Sequence, residues 1–329
     1  MKKKIFKHVK KYLPIIGIII LVYIIYSLDF EKIKTAFLSV HPLFVLLALS
    51  LTLPRMLIRN TAWQMIQKEQ KIKISYWKSL KILLIGFFYS AITPGYLGHL
   101  MRIPYMKEET KQPYGKLFVN VFIEVSLRAF SIYMMITLGL LLVINLSYEM
   151  FNILTIWVIW VLIVAIILLF FIKKERGEKL LFTLVKYLIP MKLKKDTKSF
   201  FDTFYNDFPQ VKKLVIPFIL GAITWVIAFS QEYILVVDLD LNIPYHYFLL
   251  LFPLANVAGF IPITLGGLGV REATGILIFT TLFAVSQEEI LVVSLLGFLI
   301  VDVFTGLLGF LLSLTDTACH KKIDAELTT

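Results

Sequence analysis

The sequence predicts an all-α polytopic membrane protein of about six full spans and two re-entrant broken hairpins, arranged as two inverted repeats. Three observations predict it: long apolar runs without charge, lysines confined to alternate gaps between those runs, and a glycine-rich break that occurs twice. Of 329 residues, 58% are hydrophobic and 17% charged, whereas soluble domains carry about a quarter charged residues. The run from Met150 to Ile172 holds 23 residues without one ionisable side chain. At about 1.5 Å per residue it reaches roughly 35 Å, enough to cross a hydrocarbon core of about 30 Å.

In chain order the apolar segments are 12–28, 42–62, 82–104, 116–146, 150–172, 212–236, 247–285 and 290–315. The first follows Lys2, Lys3, Lys4, Lys7, Lys10 and Lys11, a basic start shared with signal peptides. Its length, and the lack of a small-residue cleavage site before Asp29 and Glu31, make it an uncleaved first span. If 82–104 crossed fully, the loop 173–211 would lie outside with its nine Lys and Arg residues, against the positive-inside rule. If 82–104 enters and returns on one side, the N-terminus, 63–79, 105–116, 173–213 and 316–329 are all cytoplasmic and hold 26 of the 34 basic residues. Both termini are then expected in the cytoplasm, in a multi-pass protein of the cell membrane. The stretch 82–92, about half a membrane long, ends at Thr93-Pro94-Gly95, and 247–285 breaks at Thr264-Leu265-Gly266-Gly267, as a second hairpin or as two spans.

The two breaks match. Ile92-Thr93-Pro94-Gly95-Tyr96-Leu97-Gly98 and Ile263-Thr264-Leu265-Gly266-Gly267-Leu268-Gly269 agree at five of seven positions with a constant offset of 171. Each break follows two apolar segments and precedes one, which divides the single membrane domain into repeat one, 12–146, and repeat two, 150–315. Three crossings per half make the repeats inverted, an organisation of secondary transporters. A broken helix frees backbone N–H and C=O groups that lipid cannot satisfy but a substrate or water can. The linker 173–211 mixes Lys with Leu180, Leu181, Leu184 and Leu188 at helical spacing, an amphipathic helix for an anionic inner leaflet.

Five of six arginines lie in or beside apolar segments: Arg55, Arg59, Arg102, Arg128 and Arg271. Lysine fills the loops, so the arginines point to a task needing a planar fork, such as gripping phosphate or carboxylate at membrane depth. The acids at that depth are Glu124, Glu232, Glu272 and Asp302, structural or coupling charges. Glu124 and Arg128 stand four apart on one helix and are expected to pair. Arg55 and Arg59 share a helix face, and for Arg59 snorkelling to the inner headgroups is an alternative. The candidate binding set is Arg102, Arg271 and Glu272, with Gly95, Gly98, Gly266, Gly267 and Gly269 at the breaks, Arg55, and His99 beside Gly98.

The net charge of +12 is membrane topology rather than a nucleic-acid footprint. One cysteine, Cys319, excludes a disulfide framework and a Cys-based metal site. No nucleotide-binding, hydrolase or metal-ligand motif occurs, so no catalytic residue, metal or cofactor is expected.

With Thr93-Pro94-Gly95-Tyr96-Leu97-Gly98 followed by Arg102, and Gly266-Gly267-Leu268-Gly269-Val270-Arg271-Glu272-Ala273, the chain resembles the flippase-like membrane family related to the transmembrane flippase domain of lysyl-phosphatidylglycerol synthases. The resemblance covers essentially the whole chain. His99 and Leu100 stand where the family often has glutamate and arginine, Val125 and Arg128 replace an arginine and an acid, and Leu265 replaces a proline. These departures leave the headgroup open. The resemblance implies a lipid translocase moving an anionic phospholipid, or another phosphate-bearing amphiphile, between leaflets. A stand-alone chain without a synthase domain is not expected to make that lipid. The alternatives are a membrane enzyme, or an accessory subunit, acting on a lipid phosphate or polyprenyl-linked sugar. Expected partners are membrane lipids and a lipid-modifying or glycosyltransferase enzyme; a homo-oligomer fits the same reading.

Overall fold

A computed structural model describes residues 19–143, 148–171, 206, 208–260 and 267–315. Every regular element among them is helical. Helix α1 (Phe30–Ser39) starts at Asp29, whose side chain accepts from the N–H groups of Glu31 and Lys32. The sequence placed this stretch in an outer loop; the Asp29 cap makes it a helix lying against the α11 helix described below. Helices α2 (Pro42–Ser50) and α3 (Thr52–Glu69) run on as one 28-residue apolar unit. Helix α4 (Tyr76–Ala91), a 3-10 turn (Pro94–Met101) and α5 (Arg102–Thr110) follow. Beyond them lie α6 (Tyr114–Val143) and α7 (Tyr148–Phe171). The second half holds α8 (Val211–Asp238), α9 (Tyr245–Ala258), α10 (Val270–Phe283) and α11 (Gln287–Phe298). A π turn (Leu299–Val303) joins α11 to α12 (Phe304–Leu314).

Among the described residues, four units are long and apolar enough to span a membrane: Pro42–Glu69, Tyr114–Val143, Val211–Asp238 and Gln287–Leu314. Shorter apolar helices accompany them, including Tyr245–Ala258. Of segment 12–28, residues 19–27 are helical; residues 12–18 lie outside the described residues, as do most of the linker 173–211, the stretch 261–266 with Gly266, and 316–329.

Segment 82–104 folds back on itself. Lys78 pairs with Glu109 at 2.7 Å, Arg102 lies over Gly86, and Gly98 abuts the backbone of Tyr89 and Ser90. Contacts in that order are the ladder of an antiparallel hairpin. Its first limb is longer than the sequence implied, 16 residues or about 24 Å, because α4 begins at Tyr76. The stretch 247–285 folds the same way. Gly259 meets Gly267, Phe248 lies 5.4 Å from Phe279, and Tyr247 lies 5.4 Å from Phe283. Its limbs have 14 residues each, about 21 Å. Gly267 and Gly269 have φ of 80° and 86°, a left-handed backbone that glycine adopts without a Cβ penalty.

The bundle has two unlike ends. At one, Lys213 pairs with Glu69 at 2.6 Å, beside Lys68, Lys71 and Lys78. At the other, His41 meets Asp238 at 2.7 Å and the Asp29 N–H reaches Glu288. The first hairpin opens at the lysine-rich end, where Lys78 and Glu109 meet. The second opens at the acidic end, where the Tyr245 hydroxyl lies 2.8 Å from Ser230 on the last turns of α8.

Candidate functional site

The buried arginines and acids of both halves lie in the interior between the hairpins. Counting about 1.5 Å per residue, Arg59 lies about 15 Å along α3 from Glu69, and Glu124 about 15 Å along α6 from Tyr114. That is half the thickness of a hydrocarbon core of about 30 Å. Arg59 Nε donates to Glu124 Oε1 at 2.9 Å, and Arg102 Nη2 donates to Glu124 Oε2 at 2.8 Å. Three helices, α3, α5 and α6, are thereby tied through one carboxylate. Arg102 Nε also donates to the His99 carbonyl at 3.0 Å. The guanidinium of Arg59 lies 4.4 Å from the Phe87 ring and that of Arg102 4.8 Å from Trp63, contacts that soften the burial of a cation.

Glu124 does not pair with Arg128, contrary to the i,i+4 expectation. Arg128 instead covers the ring of Trp225 on α8 at 4.3 Å, and Trp225 Nε1 donates to the Arg128 carbonyl at 2.9 Å. Snorkelling of Arg59 is also overturned: the side chain is 1% exposed and ion-paired. The sequence signal for it was present, because Arg59 lies four residues from Arg55 on the face that also carries Trp63.

At the second hairpin, Arg271 Nη2 donates to Glu272 Oε1 at 2.5 Å and to the Ser294 carbonyl at 3.0 Å. Glu272 Oε2 accepts from the Gly269 N–H at the start of α10, the half of a capping box that a glycine N-cap allows. The backbone N–H groups expected at the breaks to meet an anion are therefore already used at two positions. Gly269 N–H goes to Glu272, and Gly98 N–H goes to Thr93 Oγ1 at 2.7 Å. Arg102 and Arg271 do not pair with one common acid either; Arg102 shares Glu124 with Arg59, and Arg271 pairs with Glu272. Gly95 sits in the 3-10 turn. His99 is buried with its ring edge-on to Phe87 at 5.4 Å. No group of three metal-ligating side chains occurs among the described residues.

Between these two clusters lie Arg55, Asp302 and Glu232. Arg55 Nη2 donates to the Val301 carbonyl at 2.8 Å and to Thr305 Oγ1 at 2.9 Å. The charges acting on Arg55 are those of Asp302, Arg59 and Glu232, and those acting on Asp302 include Arg271, Arg55, Arg128 and Arg59. The charges of both clusters thus bear on the same central groups, without a hydrogen bond joining them among the described residues. Five arginines face four carboxylates, so one positive charge is uncompensated even with every acid ionised.

Unused donors concentrate on the α3–α6 side. Arg59 Nη1 and Nη2, Arg102 Nη1 and Arg128 Nε have no hydrogen-bond partner among the described residues. Arg59, Glu124 and Arg128 line a crevice closed by Pro217 and Gly221 of α8, with room for about one water molecule. Guanidinium N–H groups left unpaired at membrane depth are a costly arrangement, and an arriving anion would satisfy it.

The family described as Lysylphosphatidylglycerol synthase TM region has a sequence model that matches residues 14–309. No curated protein matches the chain.

Proposed function

The chain belongs to the lysylphosphatidylglycerol synthase TM region family, and from that premise we propose that it translocates an anionic, phosphate-bearing lipid between membrane leaflets without a chemical step. One observation carries the reading: a buried network with surplus positive charge and unpaired guanidinium donors lies between two broken hairpins that open at opposite ends of the bundle. The phosphate sits against Arg59 and Arg128 once α8 moves back to widen their crevice, which here has room for about one water molecule, with Arg102 behind them, while the acyl chains remain in the bilayer. Arg271 and Glu272 serve the other hairpin, and Glu124 exchanges arginine partners as the site changes sides. Paired arginines lower the cost of bringing a phosphate to membrane depth, which a surface lysine cannot do.

The two-repeat architecture belongs to this reading, and recurring contacts support it. Gly139 of α6 packs on the Leu250 backbone of the second hairpin, and Gly309 of α12 packs on the Leu84 backbone of the first. Arg102 reaches Glu124, and Arg271 reaches Ser294. Trp225 donates to the Arg128 carbonyl, and Arg55 donates to that of Val301. In each pair the corresponding residues stand about 170 apart in sequence, near the spacing of the two motifs. Hairpins opening at opposite ends are what inversion requires.

The test is headgroup accessibility in proteoliposomes carrying fluorescent phosphatidylglycerol. Arg59→Ala and Arg102→Ala are expected to slow exchange at least about tenfold, the effect of roughly 1.4 kcal/mol or more at the transport barrier. Arg59→Lys keeps the charge, loses the fork and also slows exchange; Arg176→Lys leaves the rate unchanged. Correctly inserted Arg59→Ala and Arg102→Ala that exchange lipid at the wild-type rate remove the proposed site. Chemical alteration of the lipid by wild type favours the enzyme reading.

Orientation follows from the same proposal, with the lysine-rich end in the cytoplasm. After replacement of Cys319, single cysteines at positions 110 and 195 are expected to resist an impermeant thiol reagent in intact cells and to react after permeabilisation. A cysteine at position 32 is expected to react in both conditions. Labelling of position 110 from outside breaks this topology.

A further inference from the structure

Glu232 counts among the carboxylates facing the arginines but does not line their crevice. It stands on α8, 1% exposed, and its Oε2 has no hydrogen-bond partner among the described residues. Its side chain presses on α11 at Gly297, where an added Cβ would lie 2.7 Å from Glu232 Cγ and 3.1 Å from Oε1. Glycine there makes room for a carboxyl group and little more. A hydrated cation does not fit such a contact, and hard cations gather several oxygen ligands, which the described residues do not assemble here. A proton needs one oxygen and no added volume.

The surroundings define what a proton would change. From α10, Arg271 and Glu272 act on Glu232; Asp302 acts from the π turn and Arg55 from α3. Farther along, α3 carries Arg59 and α6 carries Glu124 and Arg128. Helix α9 contributes Tyr245, His246 and Tyr247 in its first turn, and α11 carries Glu288 and Glu289 in its own. Helix α2 has no titratable side chain. Asp302, half-buried in the π turn, is the second acid of this group. Such turns inside α-helices occur often at functional positions.

We propose that Glu232 is a proton-binding site whose occupancy is linked to anion binding at the arginine crevice. The proton comes from the aqueous phase open to the site, adds to a carboxylate oxygen, and returns to water on release; no other bond changes. Protonation removes one of the four negative charges, so an arriving phosphate meets two uncompensated positive charges rather than one. By linkage the effect is reciprocal: a bound anion draws a proton onto Glu232. The inference rests on the translocase reading for its purpose, and names a proton as the coupling ion.

The test uses the full-length protein in nanodiscs of zwitterionic lipid, with dihexanoyl-phosphatidylglycerol as probe. An infrared pH titration of wild type is expected to show a carboxylic-acid carbonyl band that Glu232→Gln removes. Adding the probe in weakly buffered solution is expected to take up about one proton per bound lipid in wild type, with affinity falling by up to about tenfold per pH unit across the titration. Glu232→Gln is expected to bind the probe with no proton uptake and no such pH dependence. A wild-type spectrum without a Glu232-dependent band at any pH overturns the proposal whether or not the probe binds. Equal uptake by both proteins, or binding that responds to sodium and not to protons, overturns it too. If the band and uptake are found but proteoliposomes exchange no lipid, the translocase reading fails and the proton site stands.

Discussion

Glu124→Gln lowers the stability of the protein by about 3–5 kcal/mol, the usual cost of removing one partner from a buried ion pair. The carboxylate is 3% exposed and divides its two oxygens between Arg59 and Arg102. Glutamine keeps the shape and one acceptor but no charge, so two guanidinium groups remain at membrane depth without their counter-ion. The loss reaches three helices at once, because α3 and α5 are joined to α6 through this group. The measurement is the unfolding midpoint in mixed micelles titrated with denaturing detergent. Glu31→Gln is the matched control: that carboxylate is exposed and pairs with Lys34 only at the surface, so its removal costs within about 1 kcal/mol. Equal midpoints for Glu124→Gln and wild type would falsify the central role of this ion pair.

Gly98→Ala has the second large effect, destabilising by about 3 kcal/mol and stopping lipid exchange. A Cβ at Gly98 would enter the Tyr89 carbonyl and the Ser90 amide. Backbone cannot rotate aside as a side chain can, so the 3-10 turn must lift away from α4. Arg102, four residues further on, moves with it and loses its bond to Glu124. Gly221→Ala is the contrast. Its Cβ would meet Arg128 Cγ at 3.5 Å and Ser131 Oγ at 3.6 Å, ordinary contacts, and stability stays within about 1 kcal/mol. If Gly98→Ala matches Gly221→Ala in unfolding midpoint and in exchange rate, the close hairpin packing is not what holds Arg102 in place.

Both predictions concern contacts between helices, and there the sequence ran out. Composition and run lengths determined a helical membrane protein, because a chain of this hydropathy has nowhere but a bilayer in which to hide its apolar surface. The breaks at Thr93-Pro94-Gly95 and Gly266-Gly267 were legible because proline and glycine act on their own backbone; the first hairpin turns at Pro94–Met101, and Gly267 meets Gly259 beside the second break. The arginines were legible as unusual through their depth alone. Helical spacing states which side chains share a face, and so it offered Arg128 to Glu124. It does not state which neighbouring helix that face will meet. Packing α3 and α5 against α6 brought the guanidiniums of Arg59 and Arg102 onto the two carboxylate oxygens, while Trp225 of α8 took Arg128. The same packing decided the fate of the freed N–H groups. Thr93 is near Gly98 in sequence and Glu272 near Gly269, but whether their side chains turn back to those glycines or outward to a ligand depends on the limb folded against them. Local sequence determined the helices, the breaks and the charges; only the tertiary structure decided the pairing of those charges, because distance between helices is set by side chains far apart in the chain.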